Sequence, residues 1–479
     1  MFTYQEVSPT AEQFDVVIIG GGPGGYASAL YGANAGLRIA VVEREKVGGT
    51  CLHRGCIPAK EFLETASMFR AVAGAKEFGV LTDQPLLDFS ISQGRKQKVV
   101  DNLWKGLQAL MKSRKITTVI GTGTLAPDRL VRVDDGTELQ GDAVILAAGS
   151  APRSIPGFDV DGRIVMTSDE VLALDRLPQS AVVIGAGAIG CEFASMLGDL
   201  GCRVTLLEAM PRMLMGCDKD IAQVVGRSFA KRGIDVHAGV AVHGHTPLPG
   251  GTGTTVSYGD GETVEAEVVI VSVGRRPRSE GLLQPGTGVE LDARGFVPVD
   301  PWCRTGADRV WAVGDVISTA HFQPHPQLAH VGFAEGICVI KDILGERALP
   351  VDYSKVPWCI YCQPEVAFAG ISEEQATEAG IPVITKKVPY GHNGRALIIG
   401  ETEGLVKVIA ERLPSGKAGR ILGVHMTGPW VTEQLGQGYM AVNWEATPEE
   451  IGQFIQPHPS LSEQFGEAVL ALTGRGLHV

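Results

Sequence analysis

Two cysteines, Cys51 and Cys56, lie five positions apart in the segment GGTCLHRGCIPAK. Two thiols that close into a disulfide and open again carry two electrons in each cycle. The segment follows closely on a glycine-rich unit that ends at Glu43 and is typical of dinucleotide binding. A sulfur pair beside a bound dinucleotide can pass electrons between that dinucleotide and an external thiol or disulfide. The pattern therefore predicts redox chemistry.

The backbone that carries this pair is expected to be irregular. In an ideal helix, residues five apart point roughly 140° away from each other with about 7.5 Å of rise, which suits a disulfide poorly. The glycines around the pair and Pro58 supply the irregularity, and Pro58 suits the first turn of a helix over AKEFLETASMFRAV. Cys56 would then lie near a helix N-terminus, which stabilises a thiolate. The alternative is that both are small buried apolar residues.

The elements that position the pair belong to a duplicated βαβ module. The first copy has a strand DVVIIG, a turn GGGPGG, a helix over YASALYGANAG and a strand ending at Glu43; the second has AVVIG, GAGAIG, a helix over CEFASMLGDLG and a strand ending at Glu208. A GxGxxG turn alone is weak evidence, but both copies follow a strand, open a helix and meet an acid at the same spacing. The glycines expected to admit a pyrophosphate are Gly20, Gly22 and Gly25, and Gly185, Gly187 and Gly190.

The acids that end the two modules indicate which dinucleotides bind. Glu43 and Glu208 would each accept hydrogen bonds from a ribose diol. A carboxylate at Glu208 repels a 2′-phosphate, so NAD is favoured over NADP, although Arg212 lies nearby in sequence. Asp315, at the end of the strand DRVWAVGD, fits a further contact to the first nucleotide.

Two matched phrases indicate where the chain leaves each module. VILAAGSAPR spans 144–153 and VIVSVGRRPR spans 269–278, and each is an apolar strand ending in Gly and then Pro-Arg. Beyond residue 350, β segments (VPWCIYCQPEVAFAG, ALIIG, GLVKVIA, RILGVHMTG) are followed by helices. The sequence therefore predicts an α/β protein with two Rossmann-like domains and a separate C-terminal α+β domain.

Composition limits the classes of function. A chain of 479 residues with 44% hydrophobic residues and 62 Gly is expected to fold into several α/β domains. A formal charge of −12 argues against a nucleic-acid or anionic-membrane surface. The uncharged stretch 16–37 is too rich in Gly for a membrane span, and no secretory signal is visible. Nine Cys, an odd count, favour one special pair among reduced thiols and a cytoplasmic location.

The C-terminal segment HPSLSEQFGEA contains a candidate general base. Thiol–disulfide exchange needs a base that works near neutral pH, and a His held by a carboxylate supplies one. His458 and Glu463 fit these two roles. The alternative is a capping box with Ser460 at the N-cap and Glu463 reaching back, and both roles of Glu463 are compatible.

A second pair, Cys359 and Cys362, has CxxC spacing. It lies in an apparent strand, where residues three apart face opposite sides at roughly 10 Å. The chain has no second CxxC to complete a zinc site. A structural role is therefore expected, and no metal site is predicted.

These motifs, in this order, resemble those of the pyridine nucleotide–disulfide oxidoreductases, and among them the dihydrolipoamide dehydrogenase branch. The resemblance runs from about residue 14 to the C-terminus. It implies an FAD-binding domain over 1–150, an NAD-binding domain over 151–280, a central region over 281–350 that completes the FAD site, and a dimerisation domain over 351–479. It also implies a homodimer that oxidises dihydrolipoamide on a lipoyl-bearing protein and reduces NAD, with a 2-oxo acid dehydrogenase complex as the assembly that it would serve.

The resemblance assigns roles to single residues. Cys51 becomes the sulfur that exchanges with the dithiol and Cys56 the charge-transfer thiolate beside the flavin. His458 becomes the base, contributed across the dimer interface and oriented by Glu463. Lys60 and Glu192 match an ion pair near the flavin N5, although each also suits an ordinary helix position. Gly49, Thr50, Gly149 and Gly274 join the cofactor-binding residues.

The chain departs from the family pattern at several places. His53-Arg54 stands between the two Cys where the family commonly has Asn-Val, and this added positive charge is expected to act on the thiols or on substrate preference. Gln456 and Ser460 replace a frequent His and Thr. The segment between Asp315 and Leu328, which carries His321 and His325, is longer than the usual family loop.

Three other functions compete with this one. A related NAD(P)H-dependent disulfide reductase would need Arg residues instead of Glu208 after the second module, or Cys residues near the C-terminus, and no Cys follows Cys362. A diaphorase or NADH oxidase would pass electrons from the flavin to quinones or oxygen. A catalytically silent docking protein would not need Cys51, Cys56, His458 and Glu463 intact.

Overall fold

A computed structural model describes residues 11–320, 322 and 324–478. Its helices are α1 (Pro23–Asn34), α2 (Gly49–Arg54), α3 (Cys56–Gly74), α4 (Phe89–Ser113), α5 (Ser168–Val171), α6 (Ala188–Asp199), α7 (Lys219–Lys231), α8 (Ala329–Ile343), α9 (Glu373–Glu378), α10 (Gly394–Ile399), α11 (Val431–Asn443), α12 (Pro448–Ile451) and α13 (Glu463–Leu472). Across the ranges described, each helix is too short or too polar to cross a bilayer.

The strands follow the same numbering. They are β1 (Glu12–Ile19), β2 (Ile39–Glu43), β3 (Thr117–Ile120), β4 (Gly123–Leu125), β5 (Leu130–Val133), β6 (Glu138–Leu146), β7 (Ser150–Pro152), β8 (Val165–Met166), β9 (Ser180–Ile184), β10 (Arg203–Glu208), β11 (Asp235–Ala238), β12 (Val242–Pro247), β13 (Thr254–Tyr258), β14 (Glu262–Ala266), β15 (Val268–Val271), β16 (Arg275–Pro277), β17 (Val297–Val299), β18 (Val310–Ala312), β19 (Ile317–Thr319), β20 (Trp358–Ile360), β21 (Glu365–Gly370), β22 (Val383–Pro389), β23 (Leu405–Arg412) and β24 (Ala418–Gly428).

The chain divides into two compact units. The first unit contains the residues up to Pro58, Arg95–Pro152 and Gly274–Tyr353, and the second contains Ala59–Gly94, Arg153–Val273 and the residues from Ser354 onwards. Both units are discontinuous in sequence. The expected domain boundaries at 150, 280 and 350 therefore stay a prediction.

The first unit is built on a sheet in which β3, β2, β1, β6 and β18 run parallel. β6 also pairs antiparallel with β5, which pairs with β4. The central strands are apolar and buried, as in a sheet covered on both faces. Because the carboxyl ends of parallel strands meet at one edge, the residues after β1, β2, β6 and β18 lie along the same edge of the sheet.

The second unit contains the second βαβ module and the C-terminal region. Its parallel sheet has the order β11-β10-β9-β15-β8, and the antiparallel strands β12, β13 and β14 form a separate sheet. The C-terminal sheet is antiparallel with the order β20-β21-β24-β23-β22, and α11 and α13 pack against its strands. This matches the expected C-terminal α+β domain.

The sequence prediction of ALIIG as a β segment was wrong. Residues 394–399 form α10, whose N-cap Asn393 accepts a hydrogen bond from the Ala396 N–H at 2.9 Å and which ends at Gly400 with φ +73. A short apolar run does not distinguish strand from helix, but the Asn and Gly at its ends are helix boundary signals. The edge strand of this sheet, which pairs with β23, is instead β22, and the sequence reasoning missed it.

Two smaller expectations also need correction. Strand β20 ends at Ile360, so Cys362 lies outside the strand that was expected to hold both cysteines of the CxxC pair. Helix α13 has Ser462, not Ser460, as its N-cap, and the Ser460 hydroxyl contacts the Ser462 hydroxyl at 3.0 Å. Only half of the expected capping box forms, because Glu463 is the first residue of the helix and reaches back to the Ser460 N–H at 2.7 Å.

A buried lysine joins the second module to the C-terminal sheet within the second unit. Lys407 on β23 is fully buried, and its ammonium group contacts Asp218 at 2.8 Å, Asp220 at 2.7 Å and Glu373 at 2.6 Å. Asp218 is also the N-cap of α7 and accepts a hydrogen bond from the Asp220 N–H at 3.0 Å. Although burial opposes the charge, the three carboxylates raise the pKa of Lys407, so the amine stays protonated.

Removal of this ammonium group should destabilise the protein strongly. We expect Lys407→Met to cost about 3–5 kcal/mol, because the fully buried carboxylate of Asp218 loses its cation. Lys231→Met is the matched control, since Lys231 is 76% exposed and its ion pair with Glu403 is long, at 3.6 Å. Thermal unfolding followed by circular dichroism should show a large drop in midpoint for the first variant and almost none for the second. Equal midpoints would contradict the structural role of Lys407.

Candidate active site

The two cysteines of the GGTCLHRGC segment form a disulfide. Cys51 lies in α2 and Cys56 is the first residue of α3, and their Cα atoms are 4.6 Å apart. Gly55, with φ −147 and ψ −110, breaks the helix between them. The irregularity expected from the spacing is therefore present, and it is what brings the two sulfurs together.

Helix α2 packs directly against the glycine-rich turn of the first βαβ module. The Gly48 N–H donates to the Gly21 carbonyl at 2.7 Å. A Cβ atom at Gly49, which has φ +60, would lie 2.6 Å from the Cα of Gly22. Any side chain at residue 49 would push α2 off this turn. The disulfide is thus held beside the expected pyrophosphate site by backbone packing.

His53 and Arg54, two of the residues that depart from the family pattern, contact the segment before α2. His53 Nε2 lies 2.9 Å from the Val47 carbonyl, and its ring meets the Trp104 ring edge-on at 6.3 Å. Arg54 pairs with Glu45 at 2.8 Å. The positive charge of Arg54 is therefore offset by the Glu45 carboxylate. The His53 and Arg54 side chains both bind α2 to the segment before it.

The first module fits a dinucleotide. The N-terminus of α1 begins at the N-cap Gly22 with no side-chain cap, which leaves its N–H groups available for a pyrophosphate. Glu43 accepts hydrogen bonds from the Gly21 N–H at 2.8 Å and the Glu45 N–H at 3.0 Å. These bonds fix the carboxylate, and the remaining lone pairs suit a ribose diol.

The expected residues around the first module come together at one sheet edge. Gly20 follows β1, Glu43 ends β2, Gly149 follows β6 and Asp315 follows β18, and these strands are neighbours. Close packing inside the turn explains the third glycine of the motif, because a Cβ at Gly25 would collide with the Gly20 carbonyl. Thr50 lies in the first turn of α2.

Asp315 is held by two residues that the sequence reasoning did not single out. The Ser150 hydroxyl donates to Asp315 at 2.5 Å, and Arg275 lies 3.6 Å from the same carboxylate. Arg275 also donates to the Ser150 hydroxyl at 2.6 Å. Ser150 and Arg275 belong to the matched phrases GSAPR and GRRPR, whose strands β7 and β16 pair with each other. The repeated phrase was the signal that could have identified them.

The second module repeats the geometry of the first. The N-terminus of α6 begins at Gly187 without a side-chain cap, and a Cβ at Gly187 would meet open space. Glu208 accepts hydrogen bonds from the Ala186 N–H at 2.6 Å and the Met210 N–H at 2.8 Å. A Cβ at Gly190 would collide with the Gly185 carbonyl, as at the first turn. Gly274 lies beyond β15 with φ +108.

Arg212 does not serve as a free cation beside Glu208. Its guanidinium group donates to the carbonyls of Leu214 and Cys217, both at 2.9 Å. A 2′-phosphate would have to displace these bonds and also approach the Glu208 carboxylate. The geometry therefore favours NAD over NADP at this module.

The expected pair of Lys60 and Glu192 is formed in the second unit. The Lys60 ammonium group lies 2.8 Å from both oxygens of Glu192, whose side chain is only 9% exposed. Glu192 also accepts the Tyr361 N–H at 3.0 Å, and the Lys60 ammonium lies 5.0 Å from the centre of the Tyr361 ring. Burial raises the pKa of the Tyr361 phenol to about 12, so it stays neutral. Sequence reasoning missed Tyr361, which carries no motif.

His458 and Glu463 also meet as expected. His458 Nδ1 is 2.7 Å from one oxygen of Glu463, and the other oxygen accepts the Ser460 N–H at 2.7 Å. Because an ionised carboxylate only accepts, Nδ1 donates and Nε2 is left as the basic nitrogen. The His458 side chain is 77% exposed in the single chain. Its free nitrogen is thus accessible.

The CxxC pair is placed differently from the redox pair. Cys359 and Cys362 are both free thiols, and burial raises the pKa of Cys359 to about 11 and that of Cys362 further. Such thiols are poor nucleophiles. Within the described ranges, no cluster of three or more His, Cys, Asp or Glu side chains could hold a metal ion.

Two family models match this chain. Residues 14–336 match the family model of the pyridine nucleotide-disulphide oxidoreductases, and residues 356–469 match the dimerisation domain of the same family. A dihydrolipoyl dehydrogenase of Bacillus subtilis is 41% identical over 98% of this chain and 100% of its own length. The mitochondrial dihydrolipoyl dehydrogenase of Pisum sativum is 36% identical over 98% of this chain and 93% of its own length.

A solved structure has the same fold. LpdA from Mycobacterium tuberculosis superposes with a TM-score of 0.87 and 26% identity, over 96% of this chain and 100% of that chain. The chain belongs to the pyridine nucleotide–disulfide oxidoreductases. The family and the fold class expected from the sequence are confirmed, and so are the expected enzyme class, an NAD-dependent disulfide oxidoreductase, and its cofactors FAD and NAD. The match to the dimerisation domain indicates a homodimer.

The geometry at Glu208 predicts the response of the nicotinamide cofactor to substitution. For Glu208→Ala we expect the KM for NAD to rise about tenfold or more, because a hydrogen bond to a charged group is lost. The penalty against NADP should shrink at the same time, since the repulsive carboxylate is gone. Steady-state kinetics with both cofactors measure this, with Glu265→Ala on β14 as a control. A wild-type preference for NADP would contradict the role of Glu208.

Proposed function

We propose that the protein oxidises dihydrolipoamide, carried on a lipoyl-bearing protein, to lipoamide and reduces NAD. The observation that carries this proposal is the Cys51–Cys56 disulfide, which is packed through Gly48 and Gly49 against the dinucleotide turn. The dihydrolipoyl dehydrogenases to which the chain is similar over almost their whole length support the same substrate.

The first half of the reaction is a thiol–disulfide exchange. His458 of the partner subunit takes the proton of one thiol of dihydrolipoamide, and the resulting thiolate attacks the sulfur of Cys51, so that a mixed disulfide forms and Cys56 leaves as a thiolate. The second substrate thiol then attacks the substrate sulfur of the mixed disulfide and gives its proton to the departing sulfur of Cys51. Lipoamide is released, Cys51 is left as a thiol and Cys56 as a thiolate. Two electrons have then moved from the substrate to the cysteine pair.

The second half returns the pair to a disulfide. Bound FAD would supply the two-electron chemistry that links the reduced cysteines to NAD. Glu43 and Asp315 would hold the FAD, and Glu208 would hold the NAD. The position of Cys56 at the start of α3 favours its thiolate form. For the Lys60–Glu192 pair we propose the role implied by the resemblance, an ion pair that acts on the flavin.

Glu463 is proposed to orient His458 rather than to accept the proton itself. Its two oxygens are shared between the His458 ring and the Ser460 backbone, which fixes the imidazole with Nε2 outward. A carboxylate in this position also stabilises the imidazolium that forms when the proton is taken. The pair therefore combines a base with its orienting group.

Substitution of His458 should separate the two half-reactions. For His458→Ala we expect dihydrolipoamide turnover to fall by about 10²–10⁴-fold, the usual contribution of a positioned base. Transfer from NADH to an artificial dye needs no thiol base and should survive. Both activities are measured by absorbance on the same preparation.

The chain offers a matched control for this experiment. His478 is 78% exposed and its Nδ1 lies 3.0 Å from Glu467, so it forms a second His–Glu pair at α13. His478→Ala should leave both activities unchanged. Equal loss of thiol and dye activities in His458→Ala, or equal effects of the two variants, would refute the assignment of the base.

A parallel assay identifies the thiol substrate. Stopped-flow reduction of the purified enzyme by dihydrolipoamide, reduced glutathione and reduced mycothiol should show fast reduction by dihydrolipoamide alone. Faster reduction by either of the other thiols would overturn the proposed substrate.

A further inference from the structure

A buried carboxylate accepts a hydrogen bond from the backbone of the turn that carries Asp315. Glu335 on α8 is fully buried, and one of its oxygens accepts the N–H of Gly314 at 2.6 Å. Helix α8 packs tightly on α1 at the same place, since a Cβ at Gly332 would lie 3.2 Å from the Gly24 nitrogen. Glu335 therefore reaches the turn after β18 from a helix that already contacts the dinucleotide turn.

His325 holds the other oxygen of Glu335. Its Nε2 is 2.6 Å from Glu335 Oε1, and its side chain is 3% exposed. Since an ionised carboxylate only accepts, Nε2 is the donor. No partner of Nδ1 is found among the described residues. Within the extended segment between Asp315 and Leu328, His325 is described, whereas His321 lies outside the described residues.

Tyr353 completes the cluster. Its hydroxyl donates to the same oxygen of Glu335 at 2.9 Å, and its ring meets the His325 ring edge-on at 5.2 Å. Burial and the neighbouring Glu335 raise the pKa of the Tyr353 phenol, and burial raises the pKa of the adjacent Cys303 thiol, so both stay neutral. Glu335 thus has three donors: a backbone N–H, a phenol and the His325 ring.

The loss of one donor would change the state of the Glu335 carboxylate. A buried carboxylate that loses a hydrogen bond must turn toward another donor or take up a proton. Either change weakens its bond to the Gly314 N–H. Gly314 precedes Asp315, whose carboxylate accepts a hydrogen bond from the Ser150 hydroxyl. The position of Asp315 therefore depends on Glu335 as well as on Ser150.

We propose that His325 is a positioning residue for the flavin site: the extended segment delivers it to Glu335, and Glu335 sets the Gly314–Asp315 turn. This inference rests on the proposed function only in assigning the first module to FAD. The proposal gives the long segment between Asp315 and Leu328 a role, which is to help retain the flavin. Because the His325 side chain is only 3% exposed, its effect on the site passes through Glu335.

The rate of flavin release tests this proposal. Holoenzyme is diluted into flavin-free buffer, and release is followed by the rise in flavin fluorescence. For His325→Ala we expect flavin release to become about tenfold faster. This is near the lower end of the effect expected when a hydrogen bond to a charged group is lost. For His325→Gln, whose amide can donate to Glu335, we expect a rate close to that of the wild type.

A control separates positioning from general destabilisation. Val339 lies on α8 and is fully buried, so Val339→Ala opens a cavity in the same helix but leaves the three donors of Glu335 in place. Its thermal midpoint should fall, while flavin release should stay within about twofold of wild type. In fully flavin-loaded His325→Ala, the KM for NAD should be unchanged.

Three outcomes would overturn the proposal. The first is unchanged release from His325→Ala. The second is that His325→Ala and Val339→Ala show the same increase in flavin release for the same drop in thermal midpoint, which would indicate a merely structural role. The third is a wild-type protein that retains no FAD. Failure to oxidise dihydrolipoamide in a protein that retains FAD through His325 would refute the proposed substrate alone.

Discussion

The redox centre depends on a close approach between two stretches of backbone. Gly48 and Gly49 lie against Gly21 and Gly22, so that α2 rests on the turn of the first module with no side chain between them. This contact decides where the disulfide lies, because Cys51 is two residues into α2 and Gly55 then redirects the chain into α3. Glycine at these positions is therefore a requirement of the chemistry as much as of the fold.

Pairs of polar side chains fix the remaining functional groups. Glu463 orients His458, Glu192 binds Lys60, and Ser150 holds Asp315. Glu463 and Glu192 each accept hydrogen bonds from two donor residues, which fixes their orientation more firmly than one bond would. Since a group held in this way loses little freedom when substrate binds, the protein approaches the reaction with its residues already placed.

The sequence predicted most of the site but not its supports. The duplicated turns, Glu43, Glu208, the cysteine pair and the His458–Glu463 pair follow from residue types at fixed spacings within short segments. Ser150, Arg275, Tyr361 and Glu335 act through contacts between segments far apart in the chain, which no local pattern reports. The error at residues 396–400 had a local cause, because an apolar run of five residues fits strand and helix equally well until its caps are considered.

The most direct test of the account is the redox state of each cysteine during turnover. Enzyme is mixed anaerobically with one equivalent of dihydrolipoamide, denatured and alkylated, and remaining disulfides are then reduced and labelled with a second reagent for mass spectrometry. We predict that Cys51 and Cys56 carry the second label before substrate, the first label after it, and the second again once NAD is added. NADH formation while both cysteines keep the second label throughout would contradict the central claim.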